Sequence, residues 1–231
     1  MTKGAKTYDI LIDETFKQDG HSYHRVLAKT PWINEGDDLA AIIKKALGSH
    51  ITPKSTVFLA EKIAIVTAGK MVRANTVKVG RFARFASKFV KPRGSDLAQS
   101  IPERMQFVIN SIGFPRTLLA CAATAVTRPF GIRGAFFVIA GYKARDLDGM
   151  HDNYLEWLLP PLRPRDARAM AEDLAKKVGA PVAIVDINYF GGHVRGVSSG
   201  GLSKEHLLRS LKDDPHGHTN SAPMGLVELI N

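Results

Sequence analysis

The sequence predicts an α+β fold in which a mixed β-sheet is packed with helices. Three observations support this class: short apolar runs typical of buried strands, longer segments with helical periodicity, and an order that intersperses the two without a regular βαβ repeat. The length of 231 residues and the 45% hydrophobic content are sufficient for a core. We therefore expect one domain over residues 1–231, with residues 1–24 as a peripheral N-terminal extension.

The first hundred residues predict an edge strand, a helix and a buried strand. The polar residues 1–20 fit either a frayed start or an edge strand around residues 8–12. Residues 37–47 place apolar side chains at i, i+3, i+4 and i+7, begin with two aspartates and are followed by Gly48, which together predict a helix. The apolar run at residues 56–60 predicts a buried strand.

A second helix is predicted over residues 80–90. At 100° per residue, Phe82, Phe85 and Phe89 fall within about 60° of one another, so we expect these rings to anchor the core. The basic residues of the same segment form a separate stripe that would face outward.

The remaining elements follow from the same patterns. The apolar run bounded by Gly134 and Gly141 predicts a central strand, and the run that ends at Asp186 predicts another. Helices are expected over residues 102–126, 166–178 and 202–211, and a closing strand over residues 224–230.

The positive charge of the chain is concentrated in one segment. Lys and Arg number 32 against 22 Asp and Glu, for a net charge of +10. Eight of the basic residues lie between Lys70 and Ser95, where there is no acidic residue, and without them the chain is nearly neutral. This segment indicates an anionic ligand or partner.

Composition narrows the possible classes of protein. Cys121 is the single cysteine, within an apolar stretch, so disulfide frameworks and all-cysteine metal sites are excluded. No secretory leader and no apolar run of about 20 residues is present, so we expect a cytoplasmic protein without a membrane partner. There is no nucleic-acid signature motif, and nucleic acid is not an expected partner.

Two groups of acidic residues are candidates for metal binding. Asp186 ends an apolar strand and is followed by Asn188, glycines and Arg195, a combination that suits a Mg²⁺–phosphate site; a simple turn cap is the alternative. Asp146, Asp148 and Asp152 lie beyond the predicted 134–141 strand and could hold a divalent cation, or could be surface acids. The sequence has no P-loop, dinucleotide-binding, zinc-ligand or nucleophile-elbow motif.

Several short motifs follow one another along the chain. They are PWINEGDDL at 31–39, EKIA at 61–64, PFGIRG at 129–134, AG at 140–141 with DG at 148–149, VDIN at 185–188, and the ending LKDDPHG with APM. In this order they resemble the coenzyme F420-0:gamma-glutamyl ligase family in its bacterial branch, and the resemblance covers residues 25–230.

This resemblance implies a gamma-glutamyl-ligase-like fold and a metal-dependent ligase that uses GTP or ATP to join L-glutamate to a carboxylate acceptor, coenzyme F420-0-like or folate-like. It implies Mg²⁺ or Mn²⁺ as cofactor and a homodimer. The implied metal ligands are Asp148, Asp186 and Asp146, and the implied nucleotide-binding residues are Gly36, Asp37, Asp38, Lys62 and Gly69. Asp186, Asn188 and Lys62 are the expected catalytic residues.

A second hypothesis remains open. The chain could be a non-catalytic protein on the same scaffold that binds an anion or nucleotide and uses the basic 70–93 segment to hold a polyanionic partner. Steep salt dependence of binding without turnover of any triphosphate would separate this hypothesis from the ligase.

Overall fold

The computed structural model describes residues 7–91, 98–150, 154–188, 191–215 and 222–230. Within it the chain forms two compact units. Unit 1 comprises residues 1–69 and 162–231, and unit 2 comprises residues 70–161. A single domain over residues 1–231 stays a prediction, and each unit is described by itself.

Unit 1 is built on a six-stranded mixed sheet. Its strands are β1 (Asp9–Gln18), β2 (His21–Lys29), β3 (Thr56–Ala60), β7 (Val182–Asn188), β8 (Gly191–Val197) and β9 (Met224–Leu229). They lie in the order β1-β2-β9-β3-β7-β8. β1 and β2 form an antiparallel hairpin, so the expected N-terminal extension contributes the edge strand. The closing strand is confirmed, and it lies inside the sheet between β2 and β3.

The centre of the sheet contains its one parallel pair among the described strands, β3 with β7. Both strands are almost continuous apolar runs, as expected where both faces of a sheet are covered. Gly225 of β9 is required next to them, because an added Cβ would lie 2.3 Å from the carbonyl oxygen of Val26 and 2.5 Å from the Phe58 ring. The ends of β3 and β7 are therefore positioned by the most buried part of unit 1.

In the described part of unit 1, four helices cover this sheet: α1 (Leu39–Leu47), α2 (Glu61–Thr67), α8 (Pro164–Val178) and α9 (Lys204–Ser210). The predicted helices over 37–47, 166–178 and 202–211 are confirmed, and α2 was not predicted. Asp38 caps α1, since its carboxylate accepts from the backbone N–H groups of Ala40 and Ala41. α8 can approach β8 closely because Gly196 has no Cβ, which would lie 2.4 Å from the Arg168 backbone nitrogen.

Unit 2 consists mainly of helices. They are α3 (Arg81–Ser87), α4 (Pro102–Ile112), α5 (Phe114–Thr127), α6 (Ala135–Ala140) and α7 (Tyr142–Arg145). A small antiparallel sheet of order β4-β6-β5 completes it, with β4 (Val72–Arg73), β5 (Asp148–Gly149) and β6 (Trp157–Leu159). One core cluster of this unit joins α4, α5, α6 and α7 through Val108, Ala120, Ala140 and Ala144.

The predicted central strand at 134–141 is wrong, because these residues form helix α6. An apolar run of this length fits a buried strand and a short helix equally well. The flanking glycines favour the helix over a continuous strand: Gly134 has a φ of +87° and Gly141 a φ of +81°, positive values that favour glycine and interrupt extended backbone on both sides of the run. Ile139 is held at the end of α6 by Arg116, whose Nε donates to its carbonyl oxygen at 2.7 Å.

The expected core role of three phenylalanines is only partly correct. Phe82 is half-buried and meets the Phe114 ring edge-on at a centroid distance of 5.0 Å. Phe85 and Phe89 are 61% and 60% exposed. The buried side of α3 is instead lined by Ala83 and Ala86, whose short side chains let α3 lie close to α4.

Candidate functional site

Two acidic residues follow the carboxyl end of the parallel ladder between β3 and β7. Ala60 and Val185 are paired in the parallel ladder, and the next residues are Glu61 and Asp186. Open sheets bind ligands at the carboxyl ends of their parallel strands, since the following residues leave the sheet there. The placement of Asp186 at this edge is therefore set by the register of the most buried strand pair.

The sequence placed Asp186 at the end of its strand, and this boundary is wrong. β7 continues to Asn188, because β8 pairs with it and Asp186 stands opposite His193. The glycines at 191 and 192 and Arg195 consequently belong to strand β8 instead of a phosphate-binding loop. The side chain of Asn188 lies outside the described part of the chain.

Glu61 is a buried acid that sequence reasoning did not select as a site residue. It is 5% exposed, accepts at 2.7 Å from the backbone N–H of Leu162, and accepts at 2.8 Å from Nε of Arg195. Burial raises the pKa of Glu61 to about 7, although Arg195 and the Leu162 N–H act in the opposite direction. The signal was available, because Glu61 directly follows an apolar strand, as Asp186 was expected to do.

Arg195 joins the two acids. Its Nη2 donates at 3.1 Å to Asp186, while its Nε is engaged by Glu61, and its side chain is 6% exposed. The Asp186 side chain is 31% exposed. One face of this cluster of Glu61, Arg195 and Asp186, which we term the strand-end cluster, is thus accessible through Asp186.

Gly36 and Gly69, two of the predicted nucleotide-binding residues, lie in loops that contact each other. The Gly36 N–H donates to the Thr67 carbonyl oxygen at 3.2 Å. Gly69 lies so close to Glu35 that an added Cβ would be 2.5 Å from its Oε1. Both glycines have positive φ, +80° for Gly36 and +61° for Gly69. The structure therefore brings Gly36 and Gly69 together.

The acids beside Gly36 make local backbone contacts. Asp37 accepts from the Asn34 N–H at 2.7 Å, and Asp38 is the cap of α1. Both carboxylates hold the loop and the helix start. Lys62 is half-buried at the second position of α2, one residue after Glu61.

Asp146 and Asp148, expected as metal ligands together with Asp186, belong to unit 2, whereas Asp186 belongs to unit 1. Asp146 pairs with Arg145 at 2.7 Å. Asp148 accepts from the Gly149 N–H at 2.7 Å. Burial raises the pKa of Tyr154 to about 12, and the negative charge of Asp148 acts in the same direction. Asp152 lies outside the described residues.

The described ranges contain no group of three or more His, Cys, Asp or Glu side chains arranged to hold a metal ion. Mg²⁺ often needs only one or two carboxylates, because phosphate oxygens and water complete its coordination. Asp186 has the donor chemistry and exposure for that mode. Glu61 fits it poorly, since both of its oxygens are already bonded.

Comparison with known proteins does not assign the chain to a family. Neither a protein-family model nor a curated protein matches it. None of the helices in the described part has the length and apolar character needed to cross a membrane.

Proposed function

We propose that this protein is a divalent-metal-dependent ligase that uses GTP or ATP to join L-glutamate through an amide to a small anionic acceptor of the coenzyme F420-0 or folate type. The observation that carries the proposal is the strand-end cluster, which presents Asp186 at the carboxyl edge of the parallel pair β3 and β7. The short motifs at 31–39, 61–64 and 185–188 support the same activity, since all three lie in unit 1.

The proposed reaction has two balanced steps. The acceptor carboxylate oxygen takes the terminal phosphoryl group and the nucleoside diphosphate leaves. The glutamate amine then attacks the acyl carbon, so that the C–N bond forms, inorganic phosphate leaves and the amine loses a proton. A bound Mg²⁺ or Mn²⁺ supplies neutralisation of phosphate charge in this chemistry.

In this proposal the residues of the chain position and neutralise the substrates. Asp186 holds the metal, and Arg195 fixes the Asp186 carboxylate from behind while remaining anchored on Glu61. Lys62 contributes a point charge toward phosphate. An added Cβ at Gly36 would meet no atom within 4 Å, so a nucleotide would have access to this backbone, whereas the space beside Gly69 is taken by the Glu35 carboxylate.

Glutamate-dependent release of phosphate from GTP or ATP tests the proposal. The full chain is assayed with Mg²⁺ or Mn²⁺ against acceptors of both types, and amide formation is followed by mass spectrometry. Asp186→Asn should lower turnover at least a hundredfold and abolish the metal-dependent nucleotide shift of the melting temperature. Asp173→Asn, an exposed change on α8, is the matched control.

Two outcomes would contradict the proposal. One is an Asp186→Asn variant that turns over triphosphate as the unmodified protein does. The other is binding of nucleotide without turnover in every acceptor mixture, which would favour the non-catalytic alternative. A homodimer stays a prediction of the family resemblance.

A further inference from the structure

The positive charge of the protein belongs almost entirely to unit 2. Residues 70–161 contain fourteen Lys and Arg against six Asp and Glu, which accounts for +8 of the net charge of +10. The same unit also exposes large apolar side chains, including Phe85, Phe89, Phe130 and Val138 at 60% or more. Cations and exposed apolar groups in one unit call for a partner that is both anionic and apolar.

The two features meet at one corner, formed by residues 81–91 and residues 126–133, which we term the basic–apolar corner. The two segments are joined by Arg128, whose Nη1 donates to the Phe89 carbonyl oxygen at 3.0 Å. The turn after α5 folds back on the helix end, since the Ile132 N–H donates to the Thr127 carbonyl oxygen at 3.3 Å.

The charge at this corner has one sign. The two segments carry six basic residues and no acidic residue, and all six side chains are exposed: Arg81, Arg84, Lys88, Lys91, Arg128 and Arg133. The exposed apolar side chains among them are Phe85, Phe89, Val126, Phe130 and Ile132, at 57% to 78% exposure. The centroids of the Phe85 and Phe89 rings lie 4.9 Å apart, so the two rings form one apolar patch between the cations.

We propose that the basic–apolar corner docks unit 2 on an anionic lipid surface. An interfacial protein of this kind holds Lys and Arg at the level of acidic headgroups and inserts Phe and aliphatic side chains beneath them. The charge complementarity selects an anionic bilayer over a second copy of the chain, because two copies would bring six cations against six. The sequence predicted no membrane partner because it has no apolar run of about 20 residues, and it predicted Phe85 and Phe89 to anchor the core.

The apolar chemistry also favours lipid over nucleic acid. Single-stranded nucleic acid is held by aromatic faces on which bases stack. Here the Phe85 and Phe89 rings are tilted by 60° to each other, and Val126 and Ile132 offer no stacking surface. Aliphatic side chains beside cations gain from insertion among acyl chains instead.

Vesicle flotation with the full chain tests this inference, which is independent of the proposed ligase activity. The protein is mixed with vesicles of phosphatidylcholine alone, or with 30% phosphatidylserine, at about 50 mM and about 300 mM salt. Binding should require phosphatidylserine and weaken at the higher salt, where charges are screened. A single-stranded oligonucleotide and the elution volume in gel filtration are measured in parallel.

Paired variants separate charge from insertion. Arg84→Ala with Lys88→Ala should weaken vesicle binding about thirtyfold, the effect of two cations near an anionic surface. Phe85→Ser with Phe89→Ser should weaken it about tenfold with the charge unchanged. The control removes two exposed cations from α8 of unit 1, Arg165→Ala with Lys176→Ala, and should leave binding within about threefold.

Three results would overturn the inference. The first is wild-type protein that does not float with anionic vesicles. The second is Phe85→Ser with Phe89→Ser converting a dimer to a monomer while vesicle binding is unchanged, which would make the corner an interface between copies. The third is protein that binds the oligonucleotide more tightly than vesicles and loses this binding equally in the two charge-removing variants, Arg84→Ala with Lys88→Ala and the control Arg165→Ala with Lys176→Ala.

Discussion

Replacing Arg195 by methionine tests how the strand-end cluster is held together. Methionine is similar in length but cannot donate, so Glu61 keeps only the Leu162 N–H while remaining 5% exposed. Removing one partner of a buried ion pair costs about 3–5 kcal/mol, because the other charge stays buried without compensation. In a chain of this size each kcal/mol lowers the melting temperature by about 2–4 °C, so we expect a decrease of roughly 10 °C at pH 8.

The pKa of Glu61 makes the stability of the protein, and of this variant, depend on pH. Burial raises the pKa of Glu61 from its ordinary value of 4.5 to about 7. Between those two pH values the native state binds a proton that the unfolded state has released. The contribution of Glu61 to the free energy of unfolding is therefore present at low pH and is lost as pH rises through 7. Over this interval the change is about 3 kcal/mol. Without Arg195 the pKa of Glu61 rises further, so the loss should be larger at pH 8 than at pH 5, by up to about 1.4 kcal/mol, the free energy of about one pH unit.

Urea unfolding at pH 5 and pH 8 measures both effects. The set comprises Arg195→Met, Glu61→Gln and the double variant, in which a neutral amide replaces the acid. The double variant should recover much of the stability that Arg195→Met loses at pH 8, and Glu61→Gln should flatten the pH slope. A loss below about 1 kcal/mol for Arg195→Met at pH 8, or an equal loss at both pH values, would refute the reasoning.

Two further predictions concern local structure in each unit. Asp38→Ala should lower the free energy of unfolding by about 1 kcal/mol, since two N–H groups of α1 lose their acceptor, whereas Asp38→Asn should keep most of it in the same urea titration. Gly149→Ala should make unit 2 susceptible to limited proteolysis, because the added Cβ would lie 2.0 Å from the Trp157 carbonyl oxygen at a φ of +98°. Gly131→Ala, also at positive φ but with no atom within 4 Å, should stay resistant.

The sequence pattern was sufficient for elements whose residues fit only one structure. The helix over 166–178 has a polar face and a stop at Gly179, and α8 begins and ends within two residues of that prediction. The run at 134–141 had no polar alternation and no unique length, so its identity depended on the backbone angles of its flanking glycines. The exposure of Phe85 could not be predicted from periodicity within α3, because it depends on which side of α3 packs against α4.

The site shows the same division between local and long-range information. Asp186 was found because an acid near the end of an apolar strand is a local feature, and Glu61 could have been found in the same way. Arg195 was named with Asp186 as the cation of a phosphate site, but its pairing with both acids could not be predicted. That pairing arises only through the antiparallel register of β7 and β8, which shifts between Ile184 and Val185. A register irregularity of this kind is set by pairing across strands and changes which side chains face each other.

The distribution of charge sharpens what the net charge of +10 means. At physiological ionic strength the Debye length is about 8 Å, so a cation acts mainly on anions in its immediate surroundings. Unit 1 carries only +2 and pairs its most buried arginines, Arg25 and Arg195, with carboxylates, so it has little charge left to attract a polyanion. The basic–apolar corner has six exposed cations and no acid in its two segments. Salt dependence of any polyanion binding should therefore follow the corner residues, and variants of exposed basic residues in unit 1 should leave its slope unchanged.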